Sequence, residues 1–193
     1  MIKKTVKIAT LICALLLTAY ITYFLSNNQN QTINVTVLEA KIQEISELAT
    51  VEYNYTDLGK YENYTDFYGW KVPFTTSKFI ITYDGKIKAG FDLTSTEITL
   101  NDETITVILD NPKIISHEID YDSMQVIDES YSIFNKVTIT QFNEFYKEQA
   151  QQIEQKAIDK GLLISAKENG EKFISNLINQ LTDKEYNIIF RYK

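Results

Sequence analysis

Apolar residues first gather in one unbroken run, Ile8 to Leu25 (IATLICALLLTAYITYFL), 18 residues without a charge that follow Lys3, Lys4 and Lys7. As a helix rising about 1.5 Å per residue the run measures roughly 27 Å, close to the roughly 30 Å hydrocarbon core of a bilayer. It predicts a transmembrane helix that meets the lipid bilayer through residues 8–25. Lysines beside a span stay cytoplasmic, whereas Ser26 to Gln31 is polar and uncharged; the N-terminus is therefore expected in the cytoplasm, with the rest of the chain extracytoplasmic. Tyr20, Tyr23 and Phe24 suit the outer membrane–water interface. A cleaved secretory signal needs small residues just before the cut, and Tyr20 to Leu25 offers none. Cys13 follows Thr10, Leu11 and Ile12, without the small residue that precedes a lipidated cysteine, and reads as an ordinary residue of the span.

Beyond Leu25 the period of the pattern changes. In Val37–Leu48, Val37, Leu38, Ile42, Ile45 and Leu48 recur at three- and four-residue spacing and predict an amphipathic helix. Ala49–Leu58 alternates Val51, Tyr53 and Tyr55 with Glu52, Asn54 and Thr56, the period of a half-buried strand. Gly59–Pro73 reads as a loop with short strand pieces. Lys78–Tyr83 and Lys86–Leu93 flank Asp84-Gly85, a pair that predicts a tight hairpin. A second hairpin is expected over Glu97–Leu100 and Glu103–Leu109 about Asn101-Asp102, and two further strands over Lys113–Asp120 and Met124–Ser132. Thr140 is expected to cap a helix running to about Gly161, Leu163–Leu181 to form a second helix in which Gly170 permits close packing, and Tyr186–Tyr192 to end the chain as a strand.

These elements predict an α+β fold: an N-terminal transmembrane helix, an amphipathic helix, an antiparallel or mixed sheet of about six to eight strands, two C-terminal helices and a final strand. Residues 1–25 form the anchor with a short cytoplasmic tail, 26–36 a polar linker and 37–193 one extracytoplasmic domain. Charge narrows its partners. Without the three early lysines, 16 basic side chains face 26 acidic ones, a formal charge of -10. Nucleic acid is excluded as a partner, and the domain is expected to stand off anionic lipid heads. The only cysteine is Cys13, so neither disulfides nor thiol catalysis are expected outside the membrane. Thirteen tyrosines and ten phenylalanines against two prolines and six glycines describe a packed, strand-rich domain.

The segments "ELATVEYNY" at Glu47–Tyr55, "FIITYDGKIKAGFDL" at Phe79–Leu93, "ITVILDNPKIISHEID" at Ile105–Asp120 and "GLLISAKENGEKFISNLI" at Gly161–Ile178 resemble the bacterial domain-of-unknown-function family 4230 over roughly residues 38 to 192. The Leu-Ala-Thr-Val entry, the spacing of Gly85, Gly90 and Asp92, the Pro112–Asp120 segment, and Ala166 with Asn169 carry the likeness. Similar members carry one N-terminal apolar segment. The resemblance implies no activity, cofactor or catalytic residue.

His117 is the only histidine, so zinc ligation or a Ser-His-Asp triad would pass through it; between Ser116 and Glu118 on an alternating strand it reads as a surface or edge-strand residue. Asp120, Asp122, Asp128 and Glu129 form the densest carboxylate cluster, but a calcium loop would need a central glycine and a terminal glutamate that are missing. A strand-turn-strand with Asp120 and Asp122 in the turn is expected instead. Asp84 to Gly90 lacks the phosphate-loop pattern. No cofactor, metal or catalytic residue is indicated. Tyr61, Tyr64, Phe67, Tyr68 and Trp70, on an irregular segment, are the candidate binding surface, in competition with packing over the sheet. The outer face of helix 140–160, with Gln149, Gln151, Gln152 and Gln155, is a candidate for self-association. The expected function is a non-catalytic module of the cell envelope that binds another envelope protein or itself; the alternatives are a carboxylate-dependent envelope hydrolase and an oligomeric scaffold at the membrane.

Overall fold

The computed structural model describes residues 14–22, 34–182 and 184–193. The chain divides into two units, Met1–Asn34 and Val35–Lys193. In the first, residues 14–22 form helix α1, on which the Thr18 hydroxyl donates to the Leu15 carbonyl at 2.9 Å and the Thr22 hydroxyl to the Thr18 carbonyl at 2.8 Å. Such back-bonding satisfies hydroxyls on an apolar helix. The rest of the run Ile8–Leu25, with Cys13, lies outside the described residues, and among the described residues no helix is long and apolar enough to cross a membrane.

The second unit is organised by three long strands, β1 (Glu47–Asn63), β4 (Ser77–Asp92) and β7 (Lys113–Ser130), paired antiparallel in the order β1-β4-β7. At about 3.3 Å per residue each extends roughly 50 Å. The Asp84-Gly85 hairpin expected from the sequence does not form; β4 runs straight through it. Parity is the reason. A two-residue turn there would set Tyr83 opposite Lys86 and Ile81 opposite Lys88, drawing lysines onto the core face. A straight strand keeps Phe79, Ile81, Tyr83, Ile87, Ala89 and Phe91 on one face, and all six are buried. Gly85 serves a crossing instead of a turn, since a Cβ there would lie 2.3 Å from the Tyr55 Oη.

The two strands expected over Lys113–Ser132 are likewise one strand, β7. The register passes from Asp84↔Asp120 to Thr82↔Gln125, so residues 121–124 swing out opposite Tyr83 as a bulge, where a turn was expected. β5 (Glu97–Asn101) and β6 (Thr104–Leu109) form the expected hairpin, with its connection one residue later, at Asp102-Glu103, where Asp102 takes a φ of 52°. β8 (Asn187–Tyr192) then joins β6 in parallel, and β2 (Asp66–Phe67) pairs with β3 (Trp70–Lys71). Among the described residues the strands thus form three sheets, of three, two and three, where one was expected.

Helices cover one side. α2 (Val35–Gln43) ends five residues before the expected Leu48, because Ser46, at φ 60°, reverses the chain into β1. α3 (Ile139–Asp159) is capped by Thr138, two residues before the expected Thr140; its hydroxyl accepts from the Gln141 N–H while the Gln141 Oε1 accepts from the Thr138 N–H. α4 (Leu162–Leu181) follows Gly161, and Gly170 lies where a Cβ would come 2.3 Å from the Phe91 ring. Phe145, Ile153 and Ala157 of α3, with Leu162 and Ala166 of α4, close over the odd-numbered face of β4 to make the core.

Candidate functional site

β1 ends at Asn63 and the chain returns as β4 at Ser77 by way of a miniature hairpin. Tyr68 and Gly69 are its two connecting residues, at φ 50° and 83°, the positive pair that a type I′ turn demands. Phe67 and Trp70 face each other across it, and the Phe67 and Tyr68 rings meet edge to face at 4.8 Å. Phe74, at φ 63°, turns the chain back toward β4. A bulky residue in the left-handed region costs about 1 to 2 kcal/mol, so two aromatic side chains are held here against their own backbone preference. Both point outward. Tyr68 is 88% exposed, Phe74 87% and Trp70 78%. The segment after β7 adds Ile133 at 79% and Phe134 at 72%.

Polar side chains, by contrast, turn inward at this end. Ser77, Thr75 and Ser132 are buried. The Ser77 hydroxyl donates to the Asn135 carbonyl at 2.5 Å and accepts from the Ser132 N–H at 2.9 Å. The Ser132 hydroxyl donates to the Phe74 carbonyl, and the Asn135 amide to the Thr75 carbonyl at 3.1 Å. The Thr75 hydroxyl donates to the Val72 carbonyl and accepts from the Thr65 N–H. These bonds tie the segment 64–76 to the segment 131–135 and satisfy main-chain groups that would otherwise need water. The result is an inside-out end, polar within and aromatic without.

Of the five aromatic residues singled out in the sequence, Tyr61 is not part of this surface. It stacks on Phe79 at 4.9 Å and meets Phe145 edge to face, because β1 continues to Asn63 and keeps odd positions on the core face. Tyr64, with Lys71 4.2 Å above its ring, Phe67, Tyr68 and Trp70 do lie at the end. Phe74, Ile133 and Phe134 were missed. The signal for the last two was an apolar pair stranded between Ser132 and Asn135, directly ahead of the Thr138 cap.

His117 does lie on an edge strand, β7, but its side chain is only 8% exposed. The Tyr55 hydroxyl lies 2.7 Å from Nε2, and Nδ1 lies 2.9 Å from Glu154 Oε1. The assignment that satisfies all three groups has Tyr55 O–H donating to Nε2 and Nδ1–H donating to the carboxylate. Burial pushes the Tyr55 hydroxyl up to about 12, with Asp57 and Glu154 adding to it. An activated hydroxyl needs the opposite shift. This network is a clasp joining β1, β7 and α3. Beside it the buried Tyr83 hydroxyl has no hydrogen-bond partner among the described residues.

Asp120, Asp122, Asp128 and Glu129 do not gather at one site, although Asp120 lines an open pocket with Asp84 and Glu118. Asp128 pairs with Lys78 at 2.7 Å, Glu129 accepts from the Tyr131 hydroxyl at 3.0 Å, and Asp120 accepts from the Asp122 N–H at 3.0 Å. Lys78 holds the Asp128 carboxyl below its ordinary value, where an acid catalyst would be raised. On α3 the large exposed apolar side chains are Ile139 and Phe142, both in the first turn and next to the aromatic end, so the long apolar stripe that a scaffold would present is not found there. No group of metal-binding side chains occurs among the described residues.

No curated protein and no solved structure matches the chain. The model of one family does, that described as "Protein of unknown function (DUF4230)", over residues 40–188, from the last turn of α2 to the start of β8. The chain therefore belongs to the DUF4230 family.

Proposed function

We propose that this chain is a single-pass, membrane-anchored binding module whose extracytoplasmic domain docks another envelope protein through the aromatic end of its long sheet. The observation that carries the reading is the inside-out construction there: Phe67, Tyr68, Trp70, Phe74, Ile133 and Phe134 exposed above buried Thr75, Ser77 and Ser132. Large aromatic side chains with satisfied backbone beneath them are the usual anchors of protein interfaces. Support for the anchor and its orientation comes from the uncharged run Ile8–Leu25 behind Lys3, Lys4 and Lys7. Support for a non-catalytic role comes from carboxylates that are spread along β7 and a tyrosine–histidine pair locked beneath α3.

A photoreactive amino acid at Phe134 of the full-length protein in living cells tests this. A discrete adduct at Phe134, absent from a probe at Lys88 on the opposite face of the sheet, is the expected result. Equal labelling at both positions, or none at Phe134, overturns the reading.

A further inference from the structure

The β5-β6-β8 sheet ends on β8, whose outer edge pairs with no further strand among the described residues. β8 meets β6 through its odd-numbered residues: the Asn187 N–H donates to the Glu103 carbonyl at 2.9 Å and the Lys193 N–H to the Leu109 carbonyl at 3.0 Å. The main-chain groups of Ile188, Phe190 and Tyr192 therefore alternate off the other edge, where β8 is the last strand of its sheet. Beside that edge α4 sets out Glu168, Glu171, Lys172, Ser175 and Asn176, a stripe at three- and four-residue spacing. With Ile188 and Phe190 the stripe bounds an open groove of about 530 Å³.

We propose that this edge and groove take the β8 strand of a second copy of the chain, antiparallel across a two-fold axis. A row of free N–H and C=O groups is complemented by another strand. Because the outward groups belong to even-numbered residues in both copies, one pairing that matches them sets Phe190 opposite Phe190 and Ile188 opposite Tyr192, with about six main-chain hydrogen bonds. Opposed residues share a face, so the incoming Ile188 and Phe190 side chains fall on the α4 side, into the groove. Arg191 lies on the other face, opposite Ile189 of the second copy, and the two arginines do not meet. The α4 stripe carries both signs, so two copies related by a two-fold can set Lys172 of one against Glu168 or Glu171 of the other; Glu171 also accepts from the Tyr192 hydroxyl of its own chain at 2.6 Å. A foreign segment of one sign would match only half of that stripe. This contact is independent of the aromatic end.

The test is the mass of the full-length protein in detergent, by light scattering across a concentration series. The native chain is expected at twice the mass of one chain. Ile188→Pro removes an N–H that points only off the free edge and leaves the β6 ladder intact. Lys172→Glu, on the exposed face of α4, sets like charges against each other without touching the core. Each is expected to weaken the dimer by about tenfold or more, with unchanged circular dichroism for Lys172→Glu. A monomeric native chain overturns the proposal. So does a dimer indifferent to Lys172→Glu, as one held through the N-terminal segment would be; that variant decides the matter even if Ile188→Pro fails to fold.

Discussion

The middle of the long sheet and its far end use the same residue types in opposite ways. Along β1 and β4, aromatic rings point toward α3 and pack on one another: Tyr55 lies edge to face with Tyr83 midway, and Tyr61 stacks on Phe79 two residues before the strands end. Lysines and carboxylates take the open face, where Lys86 pairs with Glu118 at 3.2 Å. Beyond Asn63 and Ser77 the order inverts, with hydroxyls and an amide inside and rings outside. The difference teaches that aromatic content alone does not mark a core. What marks it is which side the polar groups are satisfied on.

The comparison breaks most severely at Phe79, where Phe79→Ala empties a buried site between Tyr61 and Phe145. A loss of about 3 to 5 kcal/mol in denaturant unfolding is expected. Next comes Ser77→Ala. It strands the Ser132 N–H and the Asn135 carbonyl in a buried setting, for about 1 to 3 kcal/mol. A buried serine at the aromatic end is thus expected to matter more to folding than any exposed ring there. Tyr68→Asn runs the other way. It relieves a tyrosine at φ 50° and turns Tyr68-Gly69 into the favoured Asn-Gly pair, so the unfolding midpoint is expected to rise, by about 0.5 to 1 kcal/mol of stability.

The sequence and the structure agree where one face of an element is buried and its period is unbroken, as in α3, α4 and the β5–β6 hairpin. They part where a glycine has two meanings. Asp84-Gly85 has the composition of a turn, yet Gly85 is small because Tyr55 crosses it, a contact between residues 30 apart in sequence that local pattern does not contain. His117 was obscured for a similar reason: its partners Tyr55 and Glu154 come from β1 and α3. The aromatic end was half legible. Phe67, Tyr68 and Trp70 announced themselves by density, whereas Phe134 reaches the same place only because Ser132 and Asn135 bind the segment beneath it to Ser77 and Thr75.

A further effect, silent at neutral pH, is expected in alkali. The folded chain keeps the Tyr55 proton to about pH 12, whereas an ordinary tyrosine releases it near 10.0. Stability from this group is therefore full below pH 10 and lost as pH rises through about 12. Tyrosinate absorbance against pH should show a late-ionising component that Tyr55→Phe reduces, and the same change should flatten the fall of the unfolding midpoint across that window.

Most direct of all is the unfolding free energy of the full-length protein carrying Tyr68→Asn, Trp70→Ser and Phe74→Gly together. If those rings are held out for a partner and do not serve the fold, stability stays the same or rises. A fall of more than about 2 kcal/mol, the scale of a large side chain losing burial, would place them in the fold and contradict the account.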